Sequence, residues 1–239
     1  MPGAEIGNDV EIGPYSVIGG MARIESGTII GGNCEIGLEA GASSSEPLYI
    51  GKNSLIRSGA IIYQGSSFGE GLRTGHRVTM REKVHAGNGL QVGTLSDLQG
   101  YCKIGDYVRL HSNVHVGQKT EIGNFVWIFP YVVLTNDPHP PSEALVGCKI
   151  EDFAIVATMS TVLPGALIGS GALVGAMTLV RSAIPEDTIC VGVPGKNIGS
   201  VTKICFKESG NPVYPWRRHF HRGYPDSIVK KWCEEFPDG

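Results

Sequence analysis

A short segment after Leu134 combines side chains that can move a proton with one that can orient a substrate. Asn136 supplies an amide, Asp137 a carboxylate and His139 an imidazole, and three prolines lie among them. Prolines restrict the unfolded chain, so such a segment holds its polar groups in a fixed arrangement at little cost. A carboxylate or an imidazole can accept a proton from an attacking amine or hydroxyl, so this pattern indicates general-base catalysis. The alternative is ordinary turn chemistry at the same residues.

The elements that position this segment come from a six-residue repeat. Glycine (34 of 239 residues) is about twice as frequent as usual, and charged residues make up only 18%. A small or β-branched residue often stands four positions after the aliphatic one, and Gly, Asn or Asp, which tolerate positive φ, mark corners. The pattern predicts short parallel strands in a prism of three sheets, with about 18 residues per coil. The repeated, mostly aliphatic positions run through four blocks: Ile6 to Ile36, Ile50 to Ile62, Thr74 to Leu134 and Ile150 to Val180.

Interruptions of the repeat are the places where chemistry is expected, because a tight prism has no cleft of its own. The repeat is interrupted at 38–49, 64–73 and 135–149. The first two contain no cluster of acids, bases or nucleophiles, so we expect plain surface loops there. The third carries the segment described above and is expected to leave the prism. Leu134 should lie one coil above Val116, which makes the outward-facing His115 a further candidate near the root of this loop.

Charge and composition exclude several classes of protein. With 20 Lys and Arg against 23 Asp and Glu, the net charge is −3, so we expect no nucleic-acid partner. The N-terminus has neither a basic region nor an apolar run, and the six cysteines form no CxxC pair, so we expect a cytoplasmic protein with reduced thiols and no membrane contact. The uncharged stretch 153–180 is long enough to span a bilayer, but its glycines and its period of six argue against a helix.

The six-residue repeat resembles that of the hexapeptide-repeat family over roughly residues 5–200. The resemblance implies an all-β fold, a left-handed parallel β-helix of about nine coils, and a homotrimer with sites in the clefts between neighbours. We therefore expect an acyltransferase domain at 1–200 with an extruded loop at 135–149. Residues 201–239 should form a short C-terminal capping segment containing a helix capped at Asp226-Ser227.

Two branches of this family are similar to the loop sequence. Thr135 to Pro140 is similar to the TND-x-x-P loop of bacterial acyltransferases that acylate amino groups of nucleotide-linked sugars, which implies that Asn136 and Asp137 lie at the reactive group of the sugar. His139 with Pro140 is similar to the His-Pro pair of sugar O-acetyltransferases, whose imidazole deprotonates a hydroxyl. Both acceptors, an amine and a hydroxyl, therefore stay open, as do both bases.

A second region of resemblance to this family lies nearer the C-terminus, in the stretches 157–169, 174–176 and 191–196. It is similar to the part of these enzymes that binds coenzyme A, so the resemblance implies acetyl-CoA, or another acyl-CoA, as co-substrate and no metal. The pantetheine arm is expected along the prism, where small residues let it approach the backbone and cations complement phosphate charge. The implied binding residues are Thr158, Gly175, Ala176, Arg181 and Lys196.

Two other functions are alternatives to acyl transfer, namely a zinc enzyme and a non-catalytic scaffold. Zinc-dependent carbonic anhydrases of the γ class share this fold, but His76, His111 and His115 do not follow the stacking period that three stacked ligands need. A non-catalytic scaffold would not need the extruded loop.

The tail 214–222 mixes cations with aromatic residues, which suits either a nucleotide or diphosphate group or packing on a neighbouring coil.

Overall fold

The computed structural model describes residues 3–39, 41 and 46–237, which form a parallel β-helix with three flat sheets and a C-terminal tail. Sheet 1 contains β1 (Glu5–Ile6), β4 (Ala22–Ile24), β7 (Leu48–Ile50), β10 (Ser67–Phe68), β13 (His85–Ala86), β16 (Lys103–Ile104), β19 (Glu121–Ile122), β22 (Lys149–Ile150) and β25 (Leu167–Ile168). Sheet 2 contains β2 (Glu11–Ile12), β5 (Ile29–Ile30), β8 (Leu55–Ile56), β11 (Arg73–Thr74), β14 (Gln91–Val92), β17 (Arg109–Leu110), β20 (Trp127–Ile128), β23 (Ile155–Val156), β26 (Leu173–Val174), β28 (Thr188–Val191) and β29 (Lys196–Ser200). Sheet 3 contains β3 (Val17–Ile18), β6 (Glu35–Leu38), β9 (Ile61–Tyr63), β12 (Thr79–Met80), β15 (Asp97–Leu98), β18 (His115–Val116), β21 (Val133–Leu134), β24 (Thr161–Val162) and β27 (Leu179–Val180).

Each coil passes once through the three sheets, and successive coils pair in parallel. The register is the predicted one: Ile104 lies beside Ile122 and Val116 beside Leu134. From the second coil onward, the aliphatic position of the hexads points inward and is buried in nearly every case, whereas Ile6 and Ile12 of the first coil are exposed. The small position four residues later fills the space between the sheets; Ala60 and Val84, for example, are both 0% exposed. The sequence pattern therefore predicts the core directly.

One predicted interruption is a regular part of the prism. The sequence predicted a surface loop at 64–73, but Ser67 and Phe68 form β10, and Phe68 is 1% exposed in the core. The prediction was wrong because an aromatic ring takes the inward position that an aliphatic side chain holds in the neighbouring coils. Leu72, 1% exposed, fills the next small position of the same coil.

The other two interruptions leave the prism at the same corner, between sheet 3 and sheet 1. The first follows β6, and residues 40 and 42–45 within it lie outside the described residues, so the surface loop expected at 38–49 stays a prediction there. The second joins β21 to β22 and replaces a single hexad. An extruded loop is therefore present where the sequence placed it, but it ends at residue 148, because Lys149 begins β22.

Corners of the prism hold left-handed backbone at many residues besides glycine. Tyr107, Phe125 and Phe153 occupy the same corner in successive coils with φ of 55°, 58° and 61°. Their rings stack, with centroids 5.5 Å apart for the first pair and 5.1 Å apart for the second. These three stacked rings form an aromatic ladder. Because positive φ is unfavourable for aromatic residues, neighbouring contacts must stabilise the aromatic ladder.

The solenoid ends in a tenth turn and a hairpin. Ile184 pairs with Ile168 of sheet 1, β28 continues sheet 2, and β29 runs antiparallel to β28. The uncharged stretch 153–180 forms strands, as predicted. Among the described residues there is no helix long and apolar enough to cross a membrane.

The tail folds back along the side of the solenoid rather than over its end. After the 3₁₀ turns Val201–Lys203 and Trp216–Arg218, the helix α1 spans Asp226–Glu235. The expected cap at Asp226-Ser227 is absent: Pro225 precedes the helix and makes no side-chain capping hydrogen bond. Within this helix Trp232 is buried, whereas Cys233 is exposed. Three buried tail rings pack on the aromatic ladder, namely Trp216, Tyr224 and Trp232.

Candidate functional site

The outer surface of sheet 3 carries an imidazole paired with a carboxylate. Nδ1 of His115 lies 3.3 Å from Oδ2 of Asp97, and the His115 side chain is 41% exposed. The hydrogen bond with His115 lowers the pKa of Asp97 below its usual value; burial opposes this, and a hydrogen bond from Gln99 adds to it. A carboxylate at Nδ1 fixes the orientation of the ring and stabilises its protonated form, the arrangement that a general base needs.

Stacking of the coils produces this pair. Asp97 and His115 occupy the same outward position of sheet 3 in the fifth and sixth coils, and Val133 follows in the seventh. His115 was a candidate in the sequence, whereas Asp97 was missed. The spacing of 18 residues between them was the signal, because residues one coil apart are direct neighbours on a flat sheet.

The extruded loop is held together by Asp137. Its Oδ1 accepts hydrogen bonds from the Ser142 hydroxyl (2.7 Å) and from the His139 backbone N–H (3.1 Å). Its Oδ2 accepts one from the Ser142 backbone N–H (3.0 Å). These contacts lower the pKa of Asp137, the Ser142 hydroxyl contributing most. Both carboxylate oxygens therefore serve the loop, while the His139 side chain is exposed.

The root of the loop rests on the coil that carries His115. A side chain at Gly117 would bring a Cβ to 2.7 Å from the Leu134 carbonyl oxygen and to 3.1 Å from Cβ of Asn136. The backbone N–H of Val146 donates to the carbonyl oxygen of Asn136 (2.8 Å), which closes the loop. Only glycine at 117 permits this close approach. Asn136 follows β21, the strand that pairs with the His115 strand, by two residues and lies directly against Gly117.

Replacing Ser142 by alanine should raise the pKa of Asp137 toward its ordinary value, because the largest cause of the shift is removed. A depressed carboxyl pKa stabilises the folded loop above about pH 4, and this contribution is lost as the pH falls through the folded pKa. An NMR titration of the carboxyl carbons measures the change. Asp97 is the internal control, because its shift comes mainly from His115 and should not move. An unmoved Asp137 pKa in Ser142→Ala would contradict this account of the loop.

Four of the five residues expected to bind coenzyme A lie near one corner. Thr158, Gly175 and Ala176 follow sheet 2 in the eighth and ninth coils, and Lys196 begins β29 opposite Val191 of the tenth turn. A Cβ at Gly175 would lie 2.7 Å from Cγ1 of Val191, and Ala176 and Lys196 are exposed. The corner therefore has the small residues and the cation that an extended thioester arm with phosphates requires.

Arg181 is the exception. It directly follows β27 and lies at the corner between sheet 3 and sheet 1, across the sheet 3 surface from the other four residues. This is also the corner from which loop 135–149 leaves. The outer surface of sheet 3 carries His115. It thus lies between the corner that holds Thr158, Gly175 and Ala176 and the corner from which the extruded loop leaves.

The histidines considered for zinc are not brought together as a ligand set. His111 stacks on Phe129 with ring centroids 4.7 Å apart, His76 is an exposed corner residue, and His115 contacts Asp97. Within the part of the chain that the structure describes, no group of three or more His, Cys, Asp or Glu side chains is arranged to hold a metal ion.

Comparisons with known proteins agree with the repeat and the fold. Residues 2–37 match the family described as bacterial transferase hexapeptide (six repeats). The putative lipopolysaccharide biosynthesis O-acetyl transferase WbbJ of Escherichia coli is 34% identical over 40% of this chain and 56% of its own length. A serine acetyltransferase of Bacillus licheniformis is 35% identical over 51% of this chain and 50% of its own length. The chain thus spans about half the length of the curated relatives it matches.

A solved structure extends the likeness in fold. An Arabidopsis UDP-N-acetylglucosamine acyltransferase is 18% identical and aligns over 84% of this chain and 71% of its own, with a TM-score of 0.69. The predicted left-handed parallel β-helix is confirmed. Together with the six-residue repeat, these matches make the chain similar to hexapeptide-repeat transferases, and the relatives named above are acetyltransferases.

Proposed function

We propose that this protein transfers an acetyl group from acetyl-CoA to an amino group of a nucleotide-linked sugar. The observation that carries the proposal is the Asp97–His115 pair on sheet 3, beside the root of an extruded loop that presents Asn136 and His139. The names of the curated relatives support acetyl transfer, and the similarity of the loop to the TND-x-x-P pattern supports a sugar acceptor. Synthesis of a surface polysaccharide is the setting that such an acceptor indicates.

His115 is the proposed general base. As the acceptor attacks the thioester carbonyl, a bond forms between its nitrogen and the carbonyl carbon, and His115 takes the proton that the nitrogen loses. Asp97 stabilises the resulting imidazolium. The proton then passes from His115 to the departing sulfur as the carbon–sulfur bond breaks. Protein groups therefore position the reactants and move one proton, which suits a site with no covalent intermediate.

Loop residues have supporting roles in this proposal. Asp137 has its carboxylate oxygens occupied by Ser142 and by the His139 N–H, and its lowered pKa makes it a weak proton acceptor. We therefore assign Asp137 to holding the loop rather than to proton transfer. We assign Asn136 to orienting the acceptor. The exposed His139 lies at the edge of the proposed site.

The co-substrate supplies an activated acyl group as a thioester. Thr158, Gly175, Ala176 and Lys196 are the residues that would hold its arm along the corner, and Arg181 would meet it only from across sheet 3. In a homotrimer of this chain, loop 135–149 would reach toward a neighbouring protomer, which is how we propose that the site is completed. The oligomeric state is a direct check on that part of the proposal.

A sugar O-acetyltransferase is the second candidate. Two observations favour it: the curated relative WbbJ is named as an O-acetyl transferase, and an imidazole held by a carboxylate is the stronger base that a hydroxyl requires. The same residues would act, with an oxygen in place of the attacking nitrogen.

Release of coenzyme A thiol tests the proposed function and separates its two forms. With acetyl-CoA, we expect saturable thiol release that depends on a nucleoside-diphosphate amino sugar and is at least tenfold faster than with the matched acceptor that carries a hydroxyl instead of the amine. The reverse preference would establish the O-acetyltransferase. If calorimetry detects no saturable binding of acetyl-CoA and neither acceptor class releases thiol, the proposed function is wrong.

A further inference from the structure

Four arginines gather around a groove on sheet 2, away from the Asp97–His115 pair. The groove has a volume of about 470 Å³ and is lined by Arg57, Arg73, Arg109 and Arg222, with His111 and Trp127 among the other residues. Arg73 and Arg109 stand in the same outward row, separated by Gln91 of the intervening coil. Arg57 follows β8 at the adjoining corner, and Arg222 comes from the tail.

None of these four arginines has an acidic partner in the described part of the chain, whereas several other cations of the protein do. Among the described residues, none of the four makes an ion pair, and no Asp or Glu lines the groove. Four guanidinium groups around one groove repel one another, so an anion that binds there relieves this repulsion. The contrasting ion pairs elsewhere include Arg23 with Glu5, Arg81 with Glu82, Lys103 with Glu121 and Arg217 with Glu235.

Arg109 is held in place before any ligand arrives. Its guanidinium carbon lies 4.5 Å from the ring centre of Trp127 and 4.3 Å from that of Tyr224. Its Nη2 donates to the carbonyl oxygen of Arg222 (2.9 Å), which ties the tail to the groove. Its Nε is buried and has no hydrogen-bond partner in the structure. Such a fixed guanidinium loses little conformational freedom on binding an anion.

The neighbouring histidine adds no charge to this groove. Burial, and then the positive charge of Arg109, lower the pKa of His111 below its ordinary value, so the ring is neutral near pH 7. The positive charge of the groove therefore comes from the arginines alone and stays constant over the physiological pH range.

We propose that this groove binds a diphosphate group, with Arg57, Arg73, Arg109 and Arg222 as its ligands. Arg73 and Arg109 are two coils apart, about 10 Å along the sheet, so the exposed Arg73 side chain and the fixed Arg109 guanidinium can contact adjacent phosphates. On the other side of Arg73 a second cavity of about 420 Å³ adjoins the tail, with Asn53, Asn88 and Tyr107 in its lining and Glu70 as its acidic residue. Amides, a ring and a carboxylate suit a neutral nucleoside or sugar joined to the diphosphate.

The position of the groove along the solenoid assigns this diphosphate to the acceptor; this step rests on the proposed function. The groove covers the third to seventh coils, whereas the residues expected to hold coenzyme A belong to the eighth to tenth. His115 belongs to the sixth coil, like Arg109, and lies on the adjoining sheet 3, N-terminal to the coils expected to hold coenzyme A. An acyl donor that approaches from the C-terminal coils leaves the N-terminal coils to the acceptor.

Calorimetric titration with inorganic pyrophosphate tests the site without any acyl transfer. We expect one saturable site per chain at low salt, and at least tenfold weaker binding in the double variant Arg57→Gln/Arg73→Gln. Both side chains are exposed, so the fold should be unaffected, and an unchanged thermal midpoint checks this. Arg23→Gln is the matched control, because it removes one exposed arginine from sheet 1 and should bind pyrophosphate as the natural chain does. Absence of pyrophosphate binding, or equal affinity in the double variant and the control, would overturn the proposal.

Two further titrations identify the source of the diphosphate. UDP should bind the natural chain and lose affinity in Arg57→Gln/Arg73→Gln, whereas coenzyme A should bind both equally. If coenzyme A loses affinity and UDP does not, the groove serves the acyl donor and the assignment to the acceptor is wrong. Because His115→Asn should bind pyrophosphate normally, a failure of acetyl transfer leaves this test of the groove intact.

Discussion

Replacing His115 by asparagine should lower kcat for acetyl transfer by a factor of about 10²–10⁴, the usual contribution of a positioned general base. Asparagine keeps a hydrogen-bonding group near Asp97 but cannot take the proton of the attacking group. The expected signature is a fall in kcat with little change in the KM for either substrate, because the imidazole acts mainly in the transition state. Initial rates of thiol release over a range of both substrates measure this.

Three variants make the His115 result specific. His85→Asn is the matched control: His85 is an exposed imidazole on sheet 1 that hydrogen-bonds Ser67 (2.8 Å), and its loss should leave the rate unchanged. Asp97→Asn should lower kcat less than His115→Asn, because it removes only the group that orients the ring. His139→Ala tests the competing base in the loop. If His139→Ala abolishes turnover while His115→Asn keeps at least a tenth of it, the base has been misassigned.

Most of the fold was predictable because one period determines it. Inward aliphatic residues, small residues four positions later and corners with positive φ all follow from six-residue spacing, and together they set the register of the strands. Phe68 shows the limit of that reasoning, since an aromatic ring filled an inward position that the pattern assigned to aliphatic residues. The helix at 226–235 was also predictable, but not the surface on which it packs.

The candidate site was predictable only in part. The period alone could have paired Asp97 with His115, because they are one coil apart in sheet 3. The period could also have placed Arg73 and Arg109 in one row, but it could not have found Arg222, which meets Arg109 across 113 residues of sequence. Such a contact depends on how the tail packs, which is set by the shapes of aromatic rings rather than by spacing.

The two proposed sites divide the solenoid surface by function. Sheet 3 carries the imidazole and is bordered by the extruded loop, while sheet 2 carries the arginines and is bordered by the tail. A flat β-helix offers no cleft, so each surface gains a wall from a segment that leaves the repeat. The docking of the tail therefore determines whether Arg222 joins the three arginines of the solenoid in this groove.

Trp216→Ala should detach the tail from the solenoid. Trp216 is 7% exposed, its ring centre lies 5.9 Å from Trp127 and 5.5 Å from Trp232, and its Nε1 donates to the carbonyl oxygen of Phe153 (3.3 Å). Removal of a buried indole costs about 3–5 kcal/mol, which should exceed the free energy that holds so short a segment in place. Hydrogen exchange should show lost protection at residues 214–236.

The loss of amide protection should stay confined to the tail and the coils it contacts, because each coil of a solenoid contacts mainly its neighbours. We expect amide protection in the first five coils to be unchanged, and pyrophosphate affinity to fall as far as in Arg222→Ala, since the released tail takes Arg222 out of the groove. Phe206→Ala is the matched control: this ring is 41% exposed and packs on His219 within the tail, so its removal should alter neither measurement. Normal protection of the tail in Trp216→Ala would show that the aromatic cluster does not hold it, and normal pyrophosphate binding by a released tail would remove Arg222 from the proposed site.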